Sequence, residues 1–144
     1  MTIYKKVTTL SKVNAAYIAG IIDGEGTITL SRKHKKDNRQ LSITISNTEI
    51  PLLEFILETI EAGKITNKKT YQDHHTPSMT YAINNRQALD ILSQITPYLK
   101  TYKKQRAELI LIDYVRVTPR NGKYNENLKV EREKFIDAFF DISP

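Results

Sequence analysis

Two acids flank a glycine, Asp23 and Glu25 around Gly24, at the end of an apolar stretch, and Gly26 opens an alternating run directly after them. A carboxylate beside the open carbonyls of a helix C-terminus makes an all-oxygen site suited to a hard divalent cation. Gly24 and Gly26 are expected to allow the sharp exit that leaves Glu25 at the helix end. The plain alternative is a helix end carrying two solvated turn acids. Upstream, Ala15/Ala19 and Ala16/Gly20 stand four apart and so share helix faces. Glycine inside a helix costs about 1 kcal/mol relative to alanine. Gly20 is therefore expected where a second helix backbone comes unusually close.

The elements that must hold these acids follow from periodicity. Residues 11–22 read as a helix with Ser11 or Asn14 at its start. Residues 27–31 alternate with Ile28 and Leu30 on one face; a basic loop over 32–39 leads to a returning strand over 40–46. Asn47 or Thr48 is expected to begin a second helix with Pro51 in its first turn. Leu52, Leu53, Ile56, Leu57 and Ile60 form its apolar stripe, and Gly63 is expected to end it. A weaker strand over 64–71, a polar turn, and a strand in which Met79, Tyr81 and Ile83 alternate come next. Helix–strand–strand thus occurs twice, with the acids only in the first copy. A third helix over 85–95 is stopped by Pro97. A fourth, with Leu111, Tyr114 and Val115 as its apolar positions, ends at Pro119. A last amphipathic helix starts at Asn125 or Asn127 and carries Leu128, Phe135, Ile136 and Phe139. The class is α+β, an αββαββα core with extra C-terminal helices.

The 144 residues suit a single domain with a real core. Without cysteine there is no disulfide and no thiolate metal site. No apolar run reaches membrane-spanning length, and residues 1–11 lack an apolar signal region, so an intracellular protein with no membrane partner is expected. Lysine and arginine number 22 against 16 acids, a net charge of +6, which favours a polyanionic partner. His34, His74 and His75 lack metal-ligand spacing.

The strand faces opposite the aliphatics narrow that partner. Thr27, Thr29, Ser31, Lys33, Gln40, Ser42, Thr44, Ser46, Thr66, Lys68, Thr70, Ser78 and Thr80 contain no acid. An ordinary solvated face mixes in aspartate and glutamate, whereas this one suits a negatively charged partner whose groove edges offer donors and acceptors. A strand of about eight residues spans roughly 26 Å, close to eight base pairs, and two copies would cover roughly sixteen to twenty.

Residues 18–26, Ile-Ala-Gly-Ile-Ile-Asp-Gly-Glu-Gly, resemble the LAGLIDADG motif of homing endonucleases, with aliphatic swaps and Gly24 and Glu25 among the last three positions. The order of elements extends the resemblance over most of the chain; it weakens beyond Pro119. It implies a saddle-shaped antiparallel sheet lying in the DNA major groove, with the helices on its other face. It implies catalysis by two motif helices packed side by side. With one motif, this chain would act as a homodimer on a near-palindromic site, with Ala16, Ala19, Gly20 and Asp23 at the interface. It further implies metal-dependent phosphodiester hydrolysis with Mg2+ or Mn2+ and no small-molecule cofactor. Glu25 and the Gly24 carbonyl would be the metal ligands, and Asp23 a structural group at the helix end. Lys103 would be the active-site lysine, with Lys104 as its neighbouring alternative. A water-holding polar residue after the second strand falls on Glu49 or Asn47, a place where the family often has glutamine. A non-cleaving relative, such as an intron splicing cofactor or DNA-binding regulator, is the alternative function. An intron is the expected genetic origin.

Overall fold

The computed structural model describes residues 7–67 and 77–144. Helix α1 (Lys12–Glu25) leads into the hairpin β1 (Gly26–Ser31) and β2 (Gln40–Asn47), then α2 (Ile50–Ile60), β3 (Lys64–Asn67), β4 (Met79–Asn84), α3 (Asn85–Ile95), α4 (Tyr102–Asp113) and α5 (Glu126–Asp141). The strands form one antiparallel saddle-shaped sheet in the order β1-β2-β4-β3. This is the expected αββαββα arrangement, with α4 and α5 added after it.

Alternation decides which sheet face is buried. Ile28, Leu30, Leu41, Ile43, Ile45, Tyr81 and Ile83 form the floor of the core. Ile18 and Ile22 of α1, Leu53, Ile56 and Ile60 of α2, and Ile91, Leu92 and Ile95 of α3 cover it. Each such side chain contributes about 1.5–3 kcal/mol when removed from water, so the helices are held to one face while the other stays open. The Tyr81 hydroxyl donates to the Ala62 carbonyl at 2.7 Å, which satisfies the polar end of a buried ring. That burial pushes its phenol well above the ordinary tyrosine value.

Three local expectations change, and a fourth extends outside the described residues. The first helix runs on through Glu25 instead of ending at Ile22, and Gly26 leaves it in extended conformation at φ −91°. Gly26 is required by space, since a Cβ there would lie 2.8 Å from the Ile22 Cα. Helix α2 begins at Ile50 and closes on Glu61, whose backbone is left-handed at φ 61°; Gly63, at φ 93°, turns the chain into β3. Of the strand expected over 64–71, Lys64–Asn67 is present and the remainder lies outside the described residues. Helix α4 ends at Asp113 instead of running to Pro119; Leu111 and, just beyond the helix, Val115 are exposed, 37% and 54%, while Ala107, Ile110 and the capping Tyr114 are buried. A helix with a small alanine and a long lysine on its inner side shows only a weak stripe, so periodicity placed Tyr114 correctly and Leu111 and Val115 on the wrong side.

Candidate functional site

The ends of α1 and α4 cap each other. Asp23 accepts from the Lys100 amide at 2.7 Å, the Thr101 amide at 3.2 Å and the Thr101 hydroxyl at 2.6 Å, just where α4 begins. In return, the Lys103 ammonium donates to the Ile22 and Asp23 carbonyls in the last turn of α1 at 2.8 and 2.9 Å, the former also accepting the Gly26 backbone N–H. Lys103, not Lys104, is the lysine that reaches α1; its side chain is buried whereas Lys104 is half-exposed. Burial pushes the Lys103 ammonium below the ordinary lysine value, the Asp23 charge opposes this, and Arg106 adds to it.

Burial by itself would raise the Asp23 carboxyl. The Thr101 hydroxyl, the Lys100 and Thr101 amides and the Lys103 charge outweigh it and hold the group below the ordinary aspartate value. A depressed carboxylate stabilises the fold above its unfolded pKa and loses that contribution as pH falls through the folded value. The wild type is therefore expected to exceed Asp23→Asn in stability by a constant amount above about pH 5, and by a shrinking amount below about pH 4. Urea melts at pH 7 and pH 3 check this; an equal difference at both would contradict it.

Two residues beyond Asp23, the Glu25 side chain is exposed and accepts a hydrogen bond from the Asn47 amide at 2.6 Å. The Asn47 side-chain oxygen takes the Glu49 backbone N–H at 2.8 Å, so its NH2 group is the end turned to Glu25. Of the two residues expected at this place, Asn47 is the one that touches Glu25, while Glu49 sits exposed before α2 without a side-chain capping bond. Asn47 lies on the core-facing parity of β2, where the strand runs out beneath the end of α1; Glu49 has already turned away.

An exposed stripe runs along α1 through Val13, Ala16, Tyr17, Gly20 and Gly24, with Val13 78% and Tyr17 51% exposed. A Cβ built on Gly20 or Gly24 meets nothing within 4 Å, so the chain itself does not require glycine at either place. Ala19, expected on this face, is instead fully buried against the chain's own core. Asp23 is half-buried and its carboxylate is engaged by α4. Sequence reading missed Phe55 of α2, which meets Tyr17 edge-on at 5.6 Å and widens the apolar stripe. An aromatic next to Ile56 in a strongly apolar helix gives no signal of its own.

The open sheet face carries the polar residues in register. Thr27 opposes Thr44, Thr29 opposes Ser42, Ser31 opposes Gln40, and Ser46 opposes Thr80, which in turn opposes Thr66. Thr27, Ser31, Gln40 and Thr66 are exposed; Thr29, Thr44, Ser46 and Thr80 are half-buried, as is Ser78 just before β4. Ser42 shares the face but is only 6% exposed, enclosed in the concavity of the central strands. Ser46 and Thr80 hydrogen-bond each other at 2.7 Å. Lys33 lies in the loop beyond β1 instead of on a strand, and Lys68 and Thr70 fall outside the described residues. The register adds Lys64 and Asn84, which line an open hollow of about 710 Å3 together with Ser31, Gln40, Arg32, Lys33 and Lys36. No described strand residue on this face is acidic.

An αββαββα fold with one open polar sheet face and an acidic helix end at its margin is the architecture of the LAGLIDADG proteins. The chain belongs to the LAGLIDADG endonuclease family, whose profile matches residues 18–114. Among solved structures, the fold is similar to the homing endonuclease I-CvuI in complex with its target in the presence of calcium, with a TM-score of 0.73 and 18% identity over 92% of this chain and 83% of that one. It is similar also to the archaeal intron-encoded homing endonuclease I-Vdi141I complexed with DNA, TM-score 0.69, 21% identity, 92% of this chain and 85% of that one. The group I intron-encoded homing endonuclease I-CeuI, complexed with DNA, gives a TM-score of 0.61 at 14% identity over 92% and 68% of the two chains. At these identities the likeness is one of fold.

Proposed function

We propose that residues 1–144 form one site-specific DNA endonuclease domain that acts as a symmetric homodimer. It would hydrolyse both strands of a long, near-palindromic duplex with Mg2+ or Mn2+, inside the cell. The observation that carries this reading is the position of Glu25. It stands exposed at the end of α1, whose outer stripe through Val13, Ala16, Gly20 and Gly24 is exposed among the described residues. Two such stripes packed about a two-fold axis would bring two Glu25 carboxylates together at the margin of two open sheet faces.

The donor set fits a hard divalent cation, being a carboxylate and backbone carbonyls with no histidine or thiol. Among the described residues, no group of three or more histidine, aspartate or glutamate side chains forms within one chain. This is in keeping with a site to which each copy gives Glu25 and the Gly24 carbonyl. Such an ion, when bound, lowers the pKa of water and neutralises charge on the phosphate. Asn47 steadies the Glu25 carboxylate and offers its amide to water beside it. Lys103, whose ammonium holds the Ile22 and Asp23 carbonyls, stands at the helix end as a cation near the scissile phosphate. The face from Thr27 to Thr80 reads base edges, while Lys33, Lys64 and Lys36 hold phosphates. Among the described residues no helix is long and apolar enough to cross a membrane.

Asn47→Ala is expected to lower cleavage about 10- to 100-fold with binding little changed, as loss of a group orienting a metal ligand does. Single-turnover cleavage beside a binding titration measures both. The reading as a whole is tested by selecting cut sites from a randomised near-palindromic library in Mg2+, with Glu25→Gln as control. Two-fold-symmetric cut sites absent from the control support it. Enriched binding without cut ends would favour the non-cleaving relative instead.

A further inference from the structure

We propose that α5 is a brace for the β1–β2 hairpin, and that Arg132 and Phe140 are positioning residues through which it governs recognition of the base pairs farthest from the cleavage centre. This rests on the DNA-binding reading above. Helix α5 lies wholly beyond the 18–114 family match, so the match gives it no part.

Arg132 is 4% exposed; its two terminal nitrogens donate to carbonyl and hydroxyl oxygens, while its buried Nε has no hydrogen-bond partner among the described residues. One terminal nitrogen donates to the Val117 carbonyl and the Thr118 hydroxyl, each at 2.9 Å. The other donates to the backbone carbonyl of Arg39, the last loop residue before β2. Burying a guanidinium is costly, and its rigid planar fork suits a place where separate segments must be held in one geometry. Here it joins the α4–α5 connection to the hairpin.

Arg39 closes the hairpin from its own side. Its guanidinium reaches back across the loop to the Leu30 carbonyl at 3.0 Å and lies 5.1 Å from the centre of the Phe140 ring. Arg106 of α4 fastens the far end of the brace: it donates to the Ile142 carbonyl at 2.8 Å and to the Ile28 carbonyl of β1 at 3.0 Å. Between loop and helix runs an open groove of about 480 Å3 with Arg32, Lys35 and Lys36 on one side and Glu133 and Asp137 on the other. The acids offset the mutual repulsion of a loop that carries five cations across residues 32–39.

Distance says which base pairs are affected. Glu25 precedes β1, and the loop follows Ser31, six steps of about 3.3 Å later, or roughly 20 Å. That places the start of the loop about six base pairs of B-DNA outward from the cleavage centre, so the loop itself lies over the outer part of the half-site. Left to itself, such a loop would pay its ordering entropy on binding; a braced loop has paid it on folding and holds its side chains to one register.

Arg132→Met would strand buried oxygens and lower stability, so the 40% exposed Phe140 carries the test. Wild type, Phe140→Ala and Phe140→Tyr are compared by amide hydrogen exchange of residues 32–39 without DNA, and by mismatch scanning along the half-site. Phe140→Ala should melt within about 2 °C of wild type. It should nonetheless exchange the loop amides several-fold faster. Its mismatch penalties at the outer positions should fall from about tenfold to about two- to threefold, with the inner penalties unchanged. Phe140→Tyr, which keeps a ring over Arg39, should restore both. Unchanged loop exchange would overturn the brace, and penalties lowered uniformly along the site would overturn its role in recognition. A wild-type protein with no site preference would sink the DNA reading and the recognition role together, while exchange still decides the brace.

Discussion

Glu25→Gln is expected to lose cleavage by about 10³-fold or more while holding DNA nearly as tightly as wild type. The size follows from what removing one preorganised charge-stabilising group costs an active site, about 10²–10³-fold, applied here once in each of two copies. The selectivity follows from position. Glu25 is exposed at the end of α1, bonded to Asn47, and lies outside the polar strand faces that oppose one another in register. Glutamine keeps the volume and an acceptor for the Asn47 amide but lacks the charge a divalent cation requires. Removing a carboxylate from a surface that approaches phosphate also relieves repulsion, so affinity should hold or rise slightly. Cleavage time courses beside titrations in Ca2+ separate the two quantities. Equal loss of binding and cutting would show that Glu25 supports the surface instead of the chemistry.

Gly20→Val should convert a dimer into a monomer that remains folded. In the chain itself a Cβ at Gly20 meets nothing within 4 Å, and valine is no worse than glycine inside a helix. The isolated chain therefore has no reason to resist the change. Across a close helix pair the same methyl groups overpack the contact by about 1–3 kcal/mol, and the two-fold axis applies the cost twice. The dissociation constant should rise by roughly 30- to 10⁴-fold, read as a halved mass by sedimentation with an unchanged far-ultraviolet circular dichroism spectrum. A wild type that sediments as a monomer at working concentration would contradict the homodimer directly. Because Glu25 lies five residues further along the same helix, loss of the dimer should also abolish cutting.

How much of this was visible in the sequence depended on how local each feature is. The strands were legible because β1 and β2 alternate aliphatic and polar residues, β4 does so with Ala82 as its one apolar residue on the open face, and a period of two permits one buried face. The acid-free polar face was legible for the same reason. Helix starts were legible where a short polar side chain caps its own turn, as Ser11 does for Asn14 and Asn125 for Leu128.

The same local rules failed wherever two distant segments had to meet. Ala16 and Ala19 are alike in sequence, yet one is exposed and the other buried, because the core claims one side of α1 and leaves the other bare. Asn47 and Glu49 are two residues apart, and only the run of β2 beneath the end of α1 decides which of them touches Glu25. Lys103 rather than Lys104 caps α1 because α4 turns that side inward, a rotation set by packing. The buried fork of Arg132 joins residues 93 positions apart and leaves no periodic trace. Sequence by itself determined the class of fold, the place of the acids and the character of the open face, since each rests on neighbours along the chain. Tertiary structure decided which helix face is free, which side chain attends Glu25 and what holds the hairpin, since each rests on neighbours only in space.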